Sequence, residues 1–297
     1  MKNKSVLITI GEGYGNTVFA TPVISAVIAM GYAPSVLVEG KWRDGFRLIE
    51  NVDGVKECVG SVDDLERPIA QYAHILRTVG HRKRFNLPQE ILPDDLSPSL
   101  NHEIDMNMSA ARKFGFTGET PKPFVRNLRA KPVHEIKHVY ISDPASNAFW
   151  QRRKFLPMLG VVNMLLKSYA VTLIGSRRDK DGWDKYPLEV NHIITDTIVS
   201  AVEHLVDVDL FISQDCGLLQ LAAAMGVPVI GLFGPTSLVK NHPQGENVTI
   251  ITSPEACAPC QNTPRWSACT QPMKCMSAIT AKEIFNAIDT INGGVHL

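Results

Sequence analysis

No stretch of this chain approaches the roughly 18 consecutive apolar residues that would span a bilayer. The opening Met1-Lys2-Asn3-Lys4 runs into a short apolar segment closed by glycines, with no small-residue cleavage site of the kind that ends a secretory leader. The expected location is therefore the cytoplasm, with peripheral attachment at the inner face of the membrane as the alternative. Net charge is also missing: 30 basic and 30 acidic side chains cancel, leaving no global field to gather duplex DNA or an anionic lipid surface, although a local basic patch is compatible with that balance. There is no short-period repeat, which argues against a solenoid. With hydrophobic residues at 44% and charged residues at 20%, the chain is neither disordered nor fibrous.

At 297 residues the chain exceeds the size at which a single hydrophobic core keeps growing, so two domains are expected. Ser5 to Ile10 reads as a buried strand, Gly11 to Gly15 as a tight turn, and Thr17 to Met30 as a helix opening near Pro22. Strands over Ser35 to Glu39 and Val55 to Val59 complete a doubly wound pattern. From Thr78 to Pro132 repeated prolines interrupt the helical patches, and a linker is placed at about residues 118 to 135. A second alternation follows. Strands are expected at His138–Ser142, Ala170–Ile174, Asn191–Ile194, Leu210–Ser213 and Val227–Phe233, with helices near Leu156–Ser168, Ser200–Val206 and Leu218–Met225. The fold class is α/β with two Rossmann-like domains, 1–130 and 131–297.

In open parallel sheets ligands gather beyond the carboxyl ends of strands. Three such loops stand out. Gly11-Glu12-Gly13-Tyr14-Gly15-Asn16-Thr17 is glycine-rich, but its spacing is not the G-x-G-x-x-G dinucleotide fingerprint, and a plain tight turn explains it as well as an anion site does. Ser213 to Gln220 leaves a strand and enters a helix whose first amides and dipole suit a pyrophosphate, with Gly217 permitting close approach; simple helix capping by Asp215 is the alternative. Gly231-Leu232-Phe233-Gly234-Pro235-Thr236 ends a neighbouring strand and adds a hydroxyl.

The stretch from Asp215 to Thr236, DCGLLQLAAAMGVPVIGLFGPT, resembles the D-[TS]-G-x-x-H-x-A-A-A-x-G-x-P and L-F-G-P-T signature of the heptosyltransferases of glycosyltransferase family nine. Gly15-Asn16-Thr17-Val18 and Thr21-Pro22 are similar to that family's opening turn. The resemblance touches both ends of the chain and leaves the middle uncovered. It implies a GT-B fold, two Rossmann-like domains facing across a cleft, the first holding the acceptor and the second the nucleotide sugar. It further implies ADP-heptose as donor, a lipopolysaccharide core sugar as acceptor, inverting transfer, and no catalytic metal. Two positions depart from it. Asn16 stands where the family has its aspartate base, and an amide takes no proton at neutral pH, so Glu12 in the same turn becomes the candidate base. Gln220 replaces a histidine beside the expected pyrophosphate; it can donate a hydrogen bond but carries no charge. Among Arg152-Arg153-Lys154, where the family has a phosphate-binding lysine, Arg153 and Lys154 are the candidates, a solvated charge run being the alternative. The donor-site set is thus Arg153, Lys154, Asp215, Gly217, Leu218, Gln220, Pro235 and Thr236.

Of six cysteines, Cys257, Cys260, Cys269 and Cys275 crowd into one proline-rich segment. Four thiolates there could close a structural zinc or iron site, the family's protein-glycosylating members binding iron at a similar segment, while free thiols or a disulfide are the alternatives. Other readings of the whole are a transferase acting on a protein or nucleobase hydroxyl, and a non-catalytic sugar-nucleotide binder that has lost its base.

Overall fold

A computed structural model describes residues 4–11, 13–38, 43–79, 86–98, 100–126, 135–144, 151–180 and 182–293. The chain divides into two compact units, Met1–Leu128 and Arg129–Leu297.

In the first unit a parallel sheet has the order β3-β2-β1-β4-β5, from β1 (Val6–Ile10), β2 (Ser35–Val38), β3 (Glu57–Val59), β4 (His74–Arg77) and β5 (Glu90–Ile91). Strand β1 is central and buried along its whole length, as a strand covered on both faces must be. Helix α1 (Tyr14–Ala29) starts three residues before the expected Thr17, and Pro22 lies inside it instead of opening it. Proline removes one helical N–H; the Val18 carbonyl it leaves is taken by Thr21 Oγ1 at 2.7 Å. Helix α1 is apolar all round and buried over most of its circumference. Helix α2 (Glu103–Lys113) packs on it, with Asn107 Nδ2 donating to the Phe19 carbonyl at 3.0 Å. The expected third strand shrinks to β3, because Val55 and Lys56 lie in the irregular stretch between the Asp53-Gly54 turn and its start.

The second unit has six parallel strands in the order β11-β10-β9-β6-β7-β8: β6 (His138–Ser142), β7 (Ala170–Gly175), β8 (Asn191–Ile194), β9 (Leu210–Gln214), β10 (Val229–Phe233) and β11 (Val248–Thr252). Its helices are α3 (Met158–Leu165), α4 (Arg177–Lys180), α5 (Ile198–Leu205), α6 (Gly217–Ala224), α7 (Leu238–Asn241), α8 (Pro264–Ser267), α9 (Lys274–Ser277) and α10 (Ala281–Ile291). Val139, Ile141, Val171, Leu173, Leu210 and Ile212 share one core with the inner faces of α3 and α10. Helix α10 opens with a reciprocal capping box between Thr280 and Glu283, which fixes where it begins. The chain runs β6-β7-β8 in one direction and then returns to place β9 on the other side of β6, which makes the β6/β9 ends the switch point of this sheet.

Gly245 lies against the last turn of α6, where a Cβ would strike the Ala223 carbonyl. That neighbour is backbone and cannot rotate away. Gly245→Ala is expected to lower stability by about 2–3 kcal/mol, read as a shifted midpoint in urea unfolding.

Candidate functional site

In the second unit the β9 strand ends at Gln214, and the chain passes through Asp215 and Cys216 into α6. The helix N-cap is Cys216, with no side-chain capping bond. Asp215 is engaged elsewhere. Arg153 Nη1 lies 3.3 Å from Asp215 Oδ2 and donates to the Asp215 carbonyl at 3.1 Å; the two side chains are 16% and 7% exposed. This fixes the register within the basic run: Arg153 reaches the start of α6, Arg152 stacks over the Trp266 ring at 5.3 Å, and Lys154 is half-buried. The first-turn amides of α6, at Gly217, Leu218 and Leu219, have no carbonyl inside the helix to receive them and form an anion-ready end next to a guanidinium.

Gln220 is 3% exposed. Its Nε2 donates to the Asn241 carbonyl at 3.0 Å and lies 3.4 Å from Asp215 Oδ1, so its two amide hydrogens brace the Asp215 loop from within. Pro235 and Thr236, after β10, are both buried. The Pro235 carbonyl accepts from Cys260 N at 3.0 Å and Gln261 N at 2.9 Å, and Gln261 Oε1 in turn accepts from Ser237 N and Asn241 Nδ2. A Cβ on Gly234 would meet the sulfurs of Met276 and Cys275. The cysteine segment thus clamps the Gly234-Pro235-Thr236 loop.

As a metal site that segment departs from the sequence expectation. Among the described residues no three His, Cys, Asp or Glu side chains are grouped so as to hold an ion, and all four cysteines are free thiols. Cys257 is exposed whereas Cys260 is buried with its backbone tied to Pro235. Burial pushes the Cys275 thiol up to about 11, and burial followed by the neighbouring sulfurs raises that of Cys260. The sulfurs are near enough to act on one another, Cys269 and Cys257 on Cys260 and Cys260 and Cys257 on Cys275, without being grouped as a closed ligand set among the described residues.

Sequence reasoning passed over a second network beside the switch point. Asp143 follows β6 and is 3% exposed; its Oδ2 accepts from Lys185 Nζ at 2.9 Å and from Tyr186 OH at 2.7 Å. The Asp143 side chain is 1% exposed and that of Lys185 38%, so the positive end of the pair faces outward. The only sequence signal was a lone carboxylate at the end of an apolar strand, a position that favours ligands in open sheets.

In the first unit the glycine turn leads from β1 into α1. Gly13 takes φ 107°, a conformation that side chains disfavour, and the Asn16 amide folds back to within 3.8 Å of where a Gly13 Cβ would be. Tyr14 OH donates to both Asp44 oxygens, at 2.8 and 3.0 Å, and burial first, then this bond, holds the Tyr14 hydroxyl well above its usual range. Asp44 therefore pins the turn. Glu12 lies outside the described residues.

With this geometry in view, comparison with known proteins is specific. Residues 193–270 match the model of glycosyltransferase family 9 (heptosyltransferase). Lipooligosaccharide heptosyltransferase 2 of Campylobacter jejuni is 29% identical over 105 residues, 34% of this chain and 31% of that protein. The match thus spans about a third of the length of the curated relative. Among solved structures, the E. coli ADP-heptose lipopolysaccharide heptosyltransferase II aligns with a TM-score of 0.72 at 14% identity, covering 98% of this chain and 99% of the other. The iron-containing dodecameric glycosyltransferase TibC of enterotoxigenic E. coli aligns with a TM-score of 0.65 at 15% identity, covering 100% of this chain and 78% of TibC. The fold is that of the GT-B heptosyltransferases, and the chain is family 9-like across the stretch that builds the Asp215 and Pro235 loops.

Proposed function

We propose that this protein is an inverting glycosyltransferase that moves a sugar from a nucleotide diphosphate to an acceptor hydroxyl. The donor is ADP-heptose and the acceptor a lipopolysaccharide core sugar. The observation that carries this reading is the buried Arg153–Asp215 pair at the open end of α6, inside the stretch that matches the family. The second unit binds the donor. Its diphosphate meets the α6 amides, with Gly217 permitting close approach and Leu218 contributing an N–H. Arg153 and Lys154 supply positive charge, and Pro235 and Thr236 close the neighbouring loop.

The first unit carries the acceptor. Its hydroxyl loses a proton to Glu12 as its oxygen bonds to the anomeric carbon. The bond from that carbon to the diphosphate breaks, and its electron pair leaves on the phosphate oxygen. Fixed dipoles and cations aimed at that oxygen stabilise the developing charge without reorganising at the moment of reaction. Asn16, an amide in the turn where the family has its base, favours one rival: a sugar-nucleotide binder without transferase activity.

A thermal-shift series with ADP-, UDP- and GDP-sugars tests the donor assignment. ADP-heptose is expected to raise Tm by several degrees at about 100 times its Kd, because a ligand that binds only the folded state stabilises by mass action. ADP release on mixing with acceptor separates transferase from binder. No shift with any nucleotide sugar would overturn the reading.

A further inference from the structure

Two buried side chains beside the donor loops remain without a role. Asp143 follows β6 and Gln214 ends β9; these strands pair with Ser142 opposite Ser213, so Asp143 and Gln214 come next in one row. Strand alternation puts both on the face that carries Val139, Ile141, Leu210 and Ile212. They are 3% and 1% exposed. Yet Asp143 Oδ1 and both Oε1 and Nε2 of Gln214 have no hydrogen-bond partner. Folded interiors leave few such atoms, and each calls for an explanation.

Their position supplies one. The row lies at the switch point, where ligands enter open parallel sheets, next to Asp215 and its guanidinium. Their chemistry narrows the ligand. The carboxylate oxygen only accepts, whereas the amide offers an acceptor oxygen and a nitrogen with two N–H donors. Two adjacent hydroxyls, each able to donate and accept, satisfy all three atoms. A phosphate would bring a second negative charge to Asp143, whose cation among the described residues, Lys185, is on its other oxygen.

We propose that Asp143 and Gln214 form a subsite for vicinal hydroxyls of the nucleotide-sugar donor, with Lys185 and Tyr186 holding Asp143 in place. The proposal rests on the donor reading above. The donor has two sources of such hydroxyls, the ribose and the transferred sugar, and the experiment separates them.

The experiment is titration calorimetry of wild type, Gln214→Leu and Asp143→Asn with ADP and ADP-heptose, beside melting of the ligand-free proteins. Gln214→Leu removes both unpartnered atoms at nearly constant volume. It is expected to raise Tm of the free protein by about 2–4 °C and to weaken ADP-heptose binding about tenfold. Asp143→Asn keeps an acceptor for Tyr186 and is expected to weaken binding to a similar extent. Weakened binding of both ligands assigns the ribose; weakened binding of ADP-heptose alone assigns the sugar. Either supports the subsite. A lowered Tm in Gln214→Leu with unchanged affinity shows an amide serving the fold and overturns the proposal, as do unchanged affinities in both variants. Absence of binding by the wild type overturns the donor reading itself, and the subsite with it.

Discussion

Asp215→Ala is expected to cost about 3–5 kcal/mol of folding stability and to remove measurable donor binding. The large cost follows from what is left behind. Arg153, 16% exposed, would lose the Asp215 carboxylate and keep its bond to the Asp215 carbonyl. Removing one partner of a largely buried ion pair costs far more than the pair contributed, because the remaining charge keeps its desolvation without its counter-ion. The Gln220 amide would lose one of its two contacts as well, which loosens the start of α6. Urea unfolding measures the stability term, and calorimetry with ADP measures the binding term at a temperature where the variant is folded. The internal control is Asp196→Ala. Asp196 also pairs with an arginine, Arg177, but those side chains are 63% and 80% exposed, and no change in the unfolding midpoint is expected there. Equal effects of the two substitutions would show that the Arg153–Asp215 pair is an ordinary surface contact.

The second large effect is on turnover. Glu12→Gln is expected to lower the rate of ADP release from ADP-heptose in the presence of acceptor by about 10²–10⁴, with donor Kd unchanged. A positioned base acts on the transition state and adds nothing to ground-state affinity for the donor, so the loss should fall on kcat. Asn16 provides the reciprocal test. Asn16→Asp places a carboxylate in the same turn, where the Asn16 side chain folds back toward Gly13. In the Glu12→Gln background it is expected to restore part of the lost rate, with the acidic limb of the pH profile following the new carboxylate. Full activity in Glu12→Gln would remove Glu12 from the mechanism and make Asp44, already bonded to Tyr14 of that turn, the next carboxylate to substitute.

The second unit was legible because its strands are short, continuous apolar runs closed by glycine or polar residues, the pattern that a parallel sheet buried on both faces imposes. Two of its five expected strands agree at both limits, and the other three differ at one limit by one or two residues. The strands left unread have other causes. In β4, His74-Ile75-Leu76-Arg77, the charged end is buried: Arg77 lies 3.6 Å from Glu90, and both side chains are under a tenth exposed. An ion pair closed inside a fold has no hydropathy signature. Strand β11 lies at the edge of its sheet and is mostly half-exposed, which blurs its alternation. Pro22 misled in a simpler way, since Thr21 supplies the hydrogen bond that proline cannot.

The same limit applies to the site. Asp215 and the Pro235 loop were readable because their residues are contiguous. Which member of Arg152-Arg153-Lys154 meets Asp215 depends on the local turn, a 3-10 segment over Gln151–Arg153, and not on composition. Asp143 and Lys185 are separated by 42 positions and meet only because β6 and the loop after α4 end at the same edge of the sheet. The cysteine segment was legible as a cluster but not as a geometry. Its spacing suggested ligands, but backbone bonds to Pro235 take Cys260 into the interior while Cys257 remains exposed.

The two bonds that Pro235 accepts from Cys260 and Gln261 impose an order on synthesis. The ribosome delivers β10 and its loop some twenty-five residues before the amides that fasten the loop, and about forty before Met276, whose sulfur fills the space beside Gly234. During that interval the parallel strands through β10 can pair, but the Gly234-Pro235-Thr236 loop has nothing to lean on. A nascent chain of this protein can pair most of its second sheet before that loop is fastened, and a product cut short after β11 would keep most of the sheet while the Pro235 loop went unfastened.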